Sequence, residues 1–259
     1  MYPILAQFGD FILPTWHVFY MVGAVAAYYL MGYLYRTIHP ERVRESDLNN
    51  IYLIAYFIGY LGARFGAIIT EEGATVENLL GLLRFGSMMM YGGAIGGAIG
   101  AASFILWRRL PLRPLLDILV PSFLLAIAIG RIGCFLNGDD FGRAIALSPD
   151  QSPPFWAVTF PVLNDQIFRY PVQLLESAIV FIIVAIGITL AKRRSIPAGF
   201  VGISCAAGYC IARFFLEMLR GDPRGQFLYG VFSPSQVVSV ALLIFLRVLA
   251  GRFVIQAIK

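Results

Sequence analysis

Residues 115–136 read LLDILVPSFLLAIAIGRIGCFL, with Asp117 near the start and Arg131 near the end as the only charges. A helix needs roughly 20 apolar residues to cross the hydrocarbon core of a bilayer. This stretch is long and apolar enough to do so. Six more are comparable, at approximately 13–35, 48–69, 87–107, 171–191, 198–219 and 232–250. The composition of the 259 residues points the same way, with 59% hydrophobic and 14% charged. Soluble domains carry about 25% charged residues, and a water-facing surface cannot be built from so few. The mean hydropathy of +0.75 agrees. The sequence therefore predicts an all-α integral membrane protein with about seven transmembrane helices, forming one transmembrane domain over 1–259. A disordered, collagen-like or disulfide-stapled secreted chain is excluded.

The loops alternate in charge. Arg36, Arg42 and Arg44 follow the first span, and Arg108, Arg109 and Arg113 the third. Lys192, Arg193 and Arg194 follow the fifth, and Arg252 and Lys259 the seventh. The intervening loops carry Glu71, Glu72, Glu77, Asp139, Asp140, Asp150, Asp165 and Asp222. Positive-inside bias then predicts an external N-terminus and a cytoplasmic C-terminus. Residues 70–86, with Leu79, Leu80, Leu82 and Leu83, read as an interfacial arm. The Pro-rich segment 137–170 reads as a small extracytoplasmic cap. No cleavable signal peptide is expected, because the first apolar run lacks a basic lead and continues into a span. No internal repeat of the transporter kind is evident.

Of the 20 basic residues 18 are arginine, the side chain that grips phosphate through a planar fork. The net charge of +5 suits an anionic membrane surface and gives no argument for nucleic acid. Cys134, Cys205 and Cys210 show no metal-ligand spacing, and neither a metal nor a cofactor is expected.

Charges inside spans are expensive and mark function. Here they include Arg64, Arg131, Glu176, Arg213 and Glu217, with His17 and Tyr91 as polar companions. In the expected orientation all seven fall in the outer half of the bilayer. Arg213, Glu217 and Arg220 stand at i, i+4 and i+7, on one helical face, and Gln173 and Glu176 at i, i+3. The reading is a single polar cavity with more arginine than carboxylate, suited to an anionic phospholipid headgroup. The run from Gly92 to Gly100 allows close helix packing.

The stretch Gly130-Arg131-Ile132-Gly133-Cys134-Phe135-Leu136-Asn137-Gly138-Asp139-Asp140-Phe141-Gly142-Arg143 resembles the signature of the prolipoprotein diacylglyceryl transferase family, roughly G-R-x-G-N-F-x-N-x-E-x-x-G. Gly62-Ala63-Arg64, Tyr91-Gly92-Gly93, Pro171 to Glu176, Arg213 to Arg220 and Ser233 to Ser239 with Gln236 match further motifs in family order. The resemblance implies seven spans in the bacterial plasma (inner) membrane. It also implies transfer of diacylglyceryl from phosphatidylglycerol to the lipobox cysteine of preprolipoproteins, with release of glycerol 1-phosphate. By position, Arg131 is expected to bind the phosphate and Arg213 to be essential. Glu217 would orient Arg213 or accept the thiol proton. Asn137, Asp139, Gly142 and Arg143 would line the headgroup site, with Arg64, Gln173, Glu176 and Arg220 in support. Four positions depart from the pattern. Cys134 replaces an Asn and Asp139 a Glu, Tyr91 stands where His is usual, and His17 follows Trp16 where Tyr is usual. Tyr91 and His17 are thus candidates for an exchanged catalytic pair.

A divergent paralogue with another acceptor and a non-catalytic lipid-binding protein are the alternatives. A transporter would need polar groups reaching both leaflets, and the inner halves of these spans hold almost none besides Asp117. An intramembrane protease fits poorly, since Gly202-Ile203-Ser204-Cys205 lacks the final Gly of the expected elbow.

Overall fold

Lipid offers no partner for backbone N–H and C=O groups, so a chain this apolar must pair them within helices. A computed structural model describes residues 2–9, 11–40, 43–73, 75–83, 87–148, 150–193, 195–222 and 232–258. Arg42, Arg84, Pro149, Arg194 and Lys259, and the side chains of Glu71 and Glu72, lie outside the described residues. Among the described residues, seven helices are long and apolar enough to cross a membrane. The chain divides into two compact units, Met1–Ile38 with Arg113–Lys259, and His39–Leu112.

The larger unit opens with a hairpin, β1 (Ile4–Phe8) and β2 (Phe11–Pro14), with Gly9 in its turn at φ +61°. No strand was expected here. The Gly-Asp pair between two apolar runs is the signal that could have found it. Helix α1 (Thr15–Ile38) follows, then α5 (Leu112–Asn137), α6 (Val172–Ala191), α7 (Phe200–Leu216) and α8 (Pro234–Ile258). Small residues set the closest approaches. A Cβ on Gly133 of α5 would stand 2.6 Å from Phe19 Cβ of α1, and one on Gly187 of α6 would stand 2.6 Å from Cys205 Sγ of α7.

Asp117, the odd acid of α5, is buried and accepts the backbone N–H groups of Gly199 at 2.6 Å and Gly202 at 2.7 Å. The first N–H groups of a helix have no partner within it and carry positive partial charge. Asp117 therefore fixes the start of α7 against α5. Its role is structural.

At the other end of this unit, the starts of α1, α6 and α8 meet the ends of α5 and α7. Tyr2 N–H donates to Leu136 O at 2.9 Å, Gln173 reaches Asp139 O, and Arg213 reaches Ser235. The cap over this end has no long element, but it has a core. Phe160 is fully buried between the rings of Phe135 and Phe141. Isolated bridges pair Ala144 and Val158 with Arg169, and Trp156 stacks on Tyr170 at 5.2 Å.

In the smaller unit α2 (Glu45–Ala67) and α4 (Met90–Trp107) pack along glycines. Gly92, Gly96 and Gly100 recur every fourth residue, and a Cβ on Gly96 would run into the Ile58 carbonyl. This is the close backbone approach that membrane helices use in place of a hydrophobic drive. Asp47 closes the antiparallel pair by accepting from Arg44 N at 3.1 Å and pairing with Arg108 at 3.4 Å. The expected arm is a π-turn (Ile68–Glu72) and the short α3 (Val76–Leu80). Thr75 caps α3 through the Asn78 N–H, while Val76 and Leu80 are largely exposed. An interfacial segment has that apolar exposure.

Candidate active site

The end of α5 brings Arg131 inward, the start of α6 brings Glu176, the last turn of α7 brings Arg213, and the 3-10 turn that follows (Glu217–Leu219) brings Glu217. All four are buried. Glu176 is the centre. Its Oε2 lies 2.9 Å from Arg131 Nε and 3.5 Å from Arg213 Nη1, so both guanidinium groups meet one oxygen. Its Oε1 accepts the Tyr209 hydroxyl at 3.1 Å. Arg213 also pairs with Glu217 at 2.8 Å and donates to Ser235 Oγ at 3.2 Å. Two guanidinium groups buried this deeply are tolerable only because carboxylates meet them in close geometry.

The network continues into the signature loop. Arg131 Nη1 and Arg220 Nη2 take the two oxygens of Asp140, one each. Asp222 clamps Arg220 from the other side at 2.9 and 3.0 Å. Burial alone would pull the Arg220 pKa down, but the bonds to Asp222 and the charge of Asp140 outweigh it and the pKa is raised. The loop is laced to the end of α7 by its backbone. Arg143 N–H donates to Leu219 O at 2.8 Å and Gly221 N–H to Phe141 O at 3.1 Å. Gly142 is buried, and a Cβ there would strike the Tyr170 carbonyl. The sequence holds glycine because the backbone passes so close.

Asn137 donates to the Asp139 carboxylate. Loss of solvent raises the Asp139 pKa, with a smaller push from Asp140, against the Asn137 bond. Gln173 is buried, and its Nε2 donates to Asp139 O at 2.5 Å. A carbonyl can only accept, so the amide orientation is fixed. Arg143 is exposed, with its guanidinium 5.8 Å over the Tyr170 ring. His17 is buried and stacked on Trp16 at 3.6 Å, in the first turn of α1 that packs on Gly133. Arg64 and Tyr91 belong to the smaller unit. There Arg64 is buried with Nη1 donating to Ser87 O at 2.9 Å, and Tyr91 is half-buried near the start of α4.

Three participants went unread in the sequence. Tyr209 precedes Arg213 by one turn and shares its face with Glu217, a spacing that could have flagged it. Asp140 and Asp222 were read only as loop acids. Among the described residues, the connected ion pairs join Arg131, Arg213 and Arg220 to Glu176, Glu217, Asp140 and Asp222.

Fold and site together define a multi-pass membrane protein with a buried ionic centre at one end of its larger unit. The chain matches the family described as prolipoprotein diacylglyceryl transferase over residues 3–251, and it belongs to that family. It is 31% identical to the phosphatidylglycerol–prolipoprotein diacylglyceryl transferase of Streptococcus uberis, over 93% of this chain and 91% of that one. The enzyme of the same name from Wolbachia pipientis subsp. Culex pipiens is 27% identical over 99% and 98%. That from Azospirillum brasilense is 30% identical over 94% and 91%.

Proposed function

We propose that this chain moves the diacylglyceryl group of phosphatidylglycerol onto the lipobox cysteine of preprolipoproteins, in the plasma membrane of a bacterium. The observation that carries the reading is the pair of buried guanidinium groups on one Glu176 oxygen, in a chain of this family. The thiol loses its proton, and the sulfur attacks the diacylglycerol carbon bonded to the phosphate oxygen. The S–C bond forms, the C–O bond breaks, and its electron pair leaves on glycerol 1-phosphate. The departing phosphate gathers charge, which fixed guanidinium groups stabilise without reorganising. Arg131 takes the phosphate and Arg213 the developing charge. Arg143, Asn137, Asp139 and Gly142 shape the headgroup pocket, and Arg220, Gln173 and Glu176 hold it. Arg64, Tyr91 and His17 enter this reading through their motif positions.

The test is direct. Purified protein in vesicles holding labelled phosphatidylglycerol should label a lipobox peptide at its cysteine and leave a Cys→Ser peptide unlabelled. No label on either peptide removes the reading.

Glu217 is the proposed acceptor of the thiol proton, since a free thiol with a pKa of about 8.5 is mostly protonated at neutral pH. Glu217→Gln keeps the shape and an oxygen for Arg213 but discards the basicity. Transfer should fall about a hundredfold or more, the usual weight of a general base, with the KM for phosphatidylglycerol within about threefold. A near-normal rate would limit Glu217 to orienting Arg213.

The N-terminus is proposed to lie outside and the C-terminus in the cytoplasm, on the alternation of loop charges. Pro153→Cys should react with an impermeant maleimide on intact cells, and Lys259→Cys only after permeabilisation. The reverse pattern inverts the topology.

A further inference from the structure

The ionic network poses a problem for an anionic substrate. Among the described residues its ion pairs join three arginines to four carboxylates, so a phosphodiester that simply joined them would set a fifth negative charge beside these. Like charges at close range in a medium of low dielectric repel strongly. Entry therefore needs an anion to leave.

We infer that Asp140 is that anion: an exchangeable carboxylate that holds Arg131 and Arg220 in the unliganded protein and gives way to the phosphate of the phospholipid. The inference rests on the proposed meeting of Arg131 with that phosphate. Asp140 presents one oxygen to each arginine. A phosphodiester likewise offers two unesterified oxygens and one negative charge, so the exchange leaves the charge of the network unchanged. The arginines need not move. Arg131 keeps Glu176 at 2.9 Å and Arg220 keeps its two bonds to Asp222.

Asp140 is also the carboxylate best able to leave. Its side chain is 24% exposed, against 1% for Glu176 and 4% for Glu217. The latter two are fixed near helix ends, and Glu176 is further held by Tyr209. Asp222 is less exposed, at 16%, and is forked onto Arg220 through two bonds. Asp140 stands on a loop with φ +60°, a left-handed conformation uncommon for a residue with a side chain.

Asp140→Asn removes the competing charge. The KM for phosphatidylglycerol should fall about tenfold, the scale of one charge-assisted hydrogen bond. The affinity for glycerol 1-phosphate, read from its effect on the unfolding temperature, should rise by a similar factor. Asp140→Glu, which keeps the charge, should show neither gain. Unchanged or weakened binding in folded Asp140→Asn overturns the inference. A second reading uses the wild-type protein alone. Saturating glycerol 1-phosphate should speed amide hydrogen exchange over residues 138–141, as the loop is released, and unchanged or slowed exchange overturns it equally. Both binding measurements stand apart from transfer. Loss of the proposed reaction is thus distinguishable from failure of the exchange.

Discussion

Glu176→Gln is expected to abolish measurable transfer and to lower stability by about 3 kcal/mol, read from unfolding in detergent. Breaking a buried ion pair by deleting one partner costs about 3–5 kcal/mol, because the other charge is left uncompensated in the interior. Here one deletion affects two guanidinium groups, Arg131 at 2.9 Å and Arg213 at 3.5 Å. The lower end of the range applies because each keeps a second carboxylate, Asp140 and Glu217. The substitution is close to isosteric, so cavity formation contributes little. Its amide places either an N–H group toward Arg131 and Arg213 or another toward the Tyr209 hydroxyl, where a carboxylate faced donors on both sides. Catalysis suffers more than stability, since both arginines lose the group that fixes their direction. A stable, active Glu176→Gln protein would mean that Asp140 and Glu217 alone hold them.

How much of this was legible in the sequence follows from where a residue is costly. The spans could be read because twenty apolar residues have few other uses. Arg131, Glu176, Arg213 and Glu217 could be read because a charge in such a run needs a compensating partner. Tyr209 sits in the same kind of run, but a tyrosine there is unremarkable until its hydroxyl is seen on Glu176. Asp140 lies in a loop, where acids are the rule, and only the folded backbone turns it toward two arginines. Asp117 stood out as a charge without a role, because its partners are backbone N–H groups brought up by tertiary packing. Side chains that pay for their position were visible. Those whose role comes from the path of the backbone were not.

Arg131→Lys should cripple transfer although the charge is retained. Arg131 works on two sides at once, with Nε on Glu176 and Nη1 on Asp140, from a side chain that is 4% exposed. These bonds need donors held apart in a rigid plane. Lysine has one compact ammonium on a flexible stem and cannot span both sites in that geometry. A phosphate in the place of Asp140 would lose the directed Nη1 contact as well. Losing charge-assisted hydrogen bonds there should cost about 1.5–3 kcal/mol, or roughly one to two decades in rate. Arg108→Lys is the control. Arg108 is 44% exposed on its side chain and meets Asp47 at 3.4 Å, where an ammonium can serve as well. Exposed pairs of this kind are worth at most about 1 kcal/mol, so its transfer rate should stay within about twofold. Rates are to be compared at equal abundance of folded protein in the membrane. If Arg131→Lys keeps near-normal transfer, Arg131 serves to hold Glu176 and Asp140 in place, and the phosphate must be carried by Arg213 or Arg220.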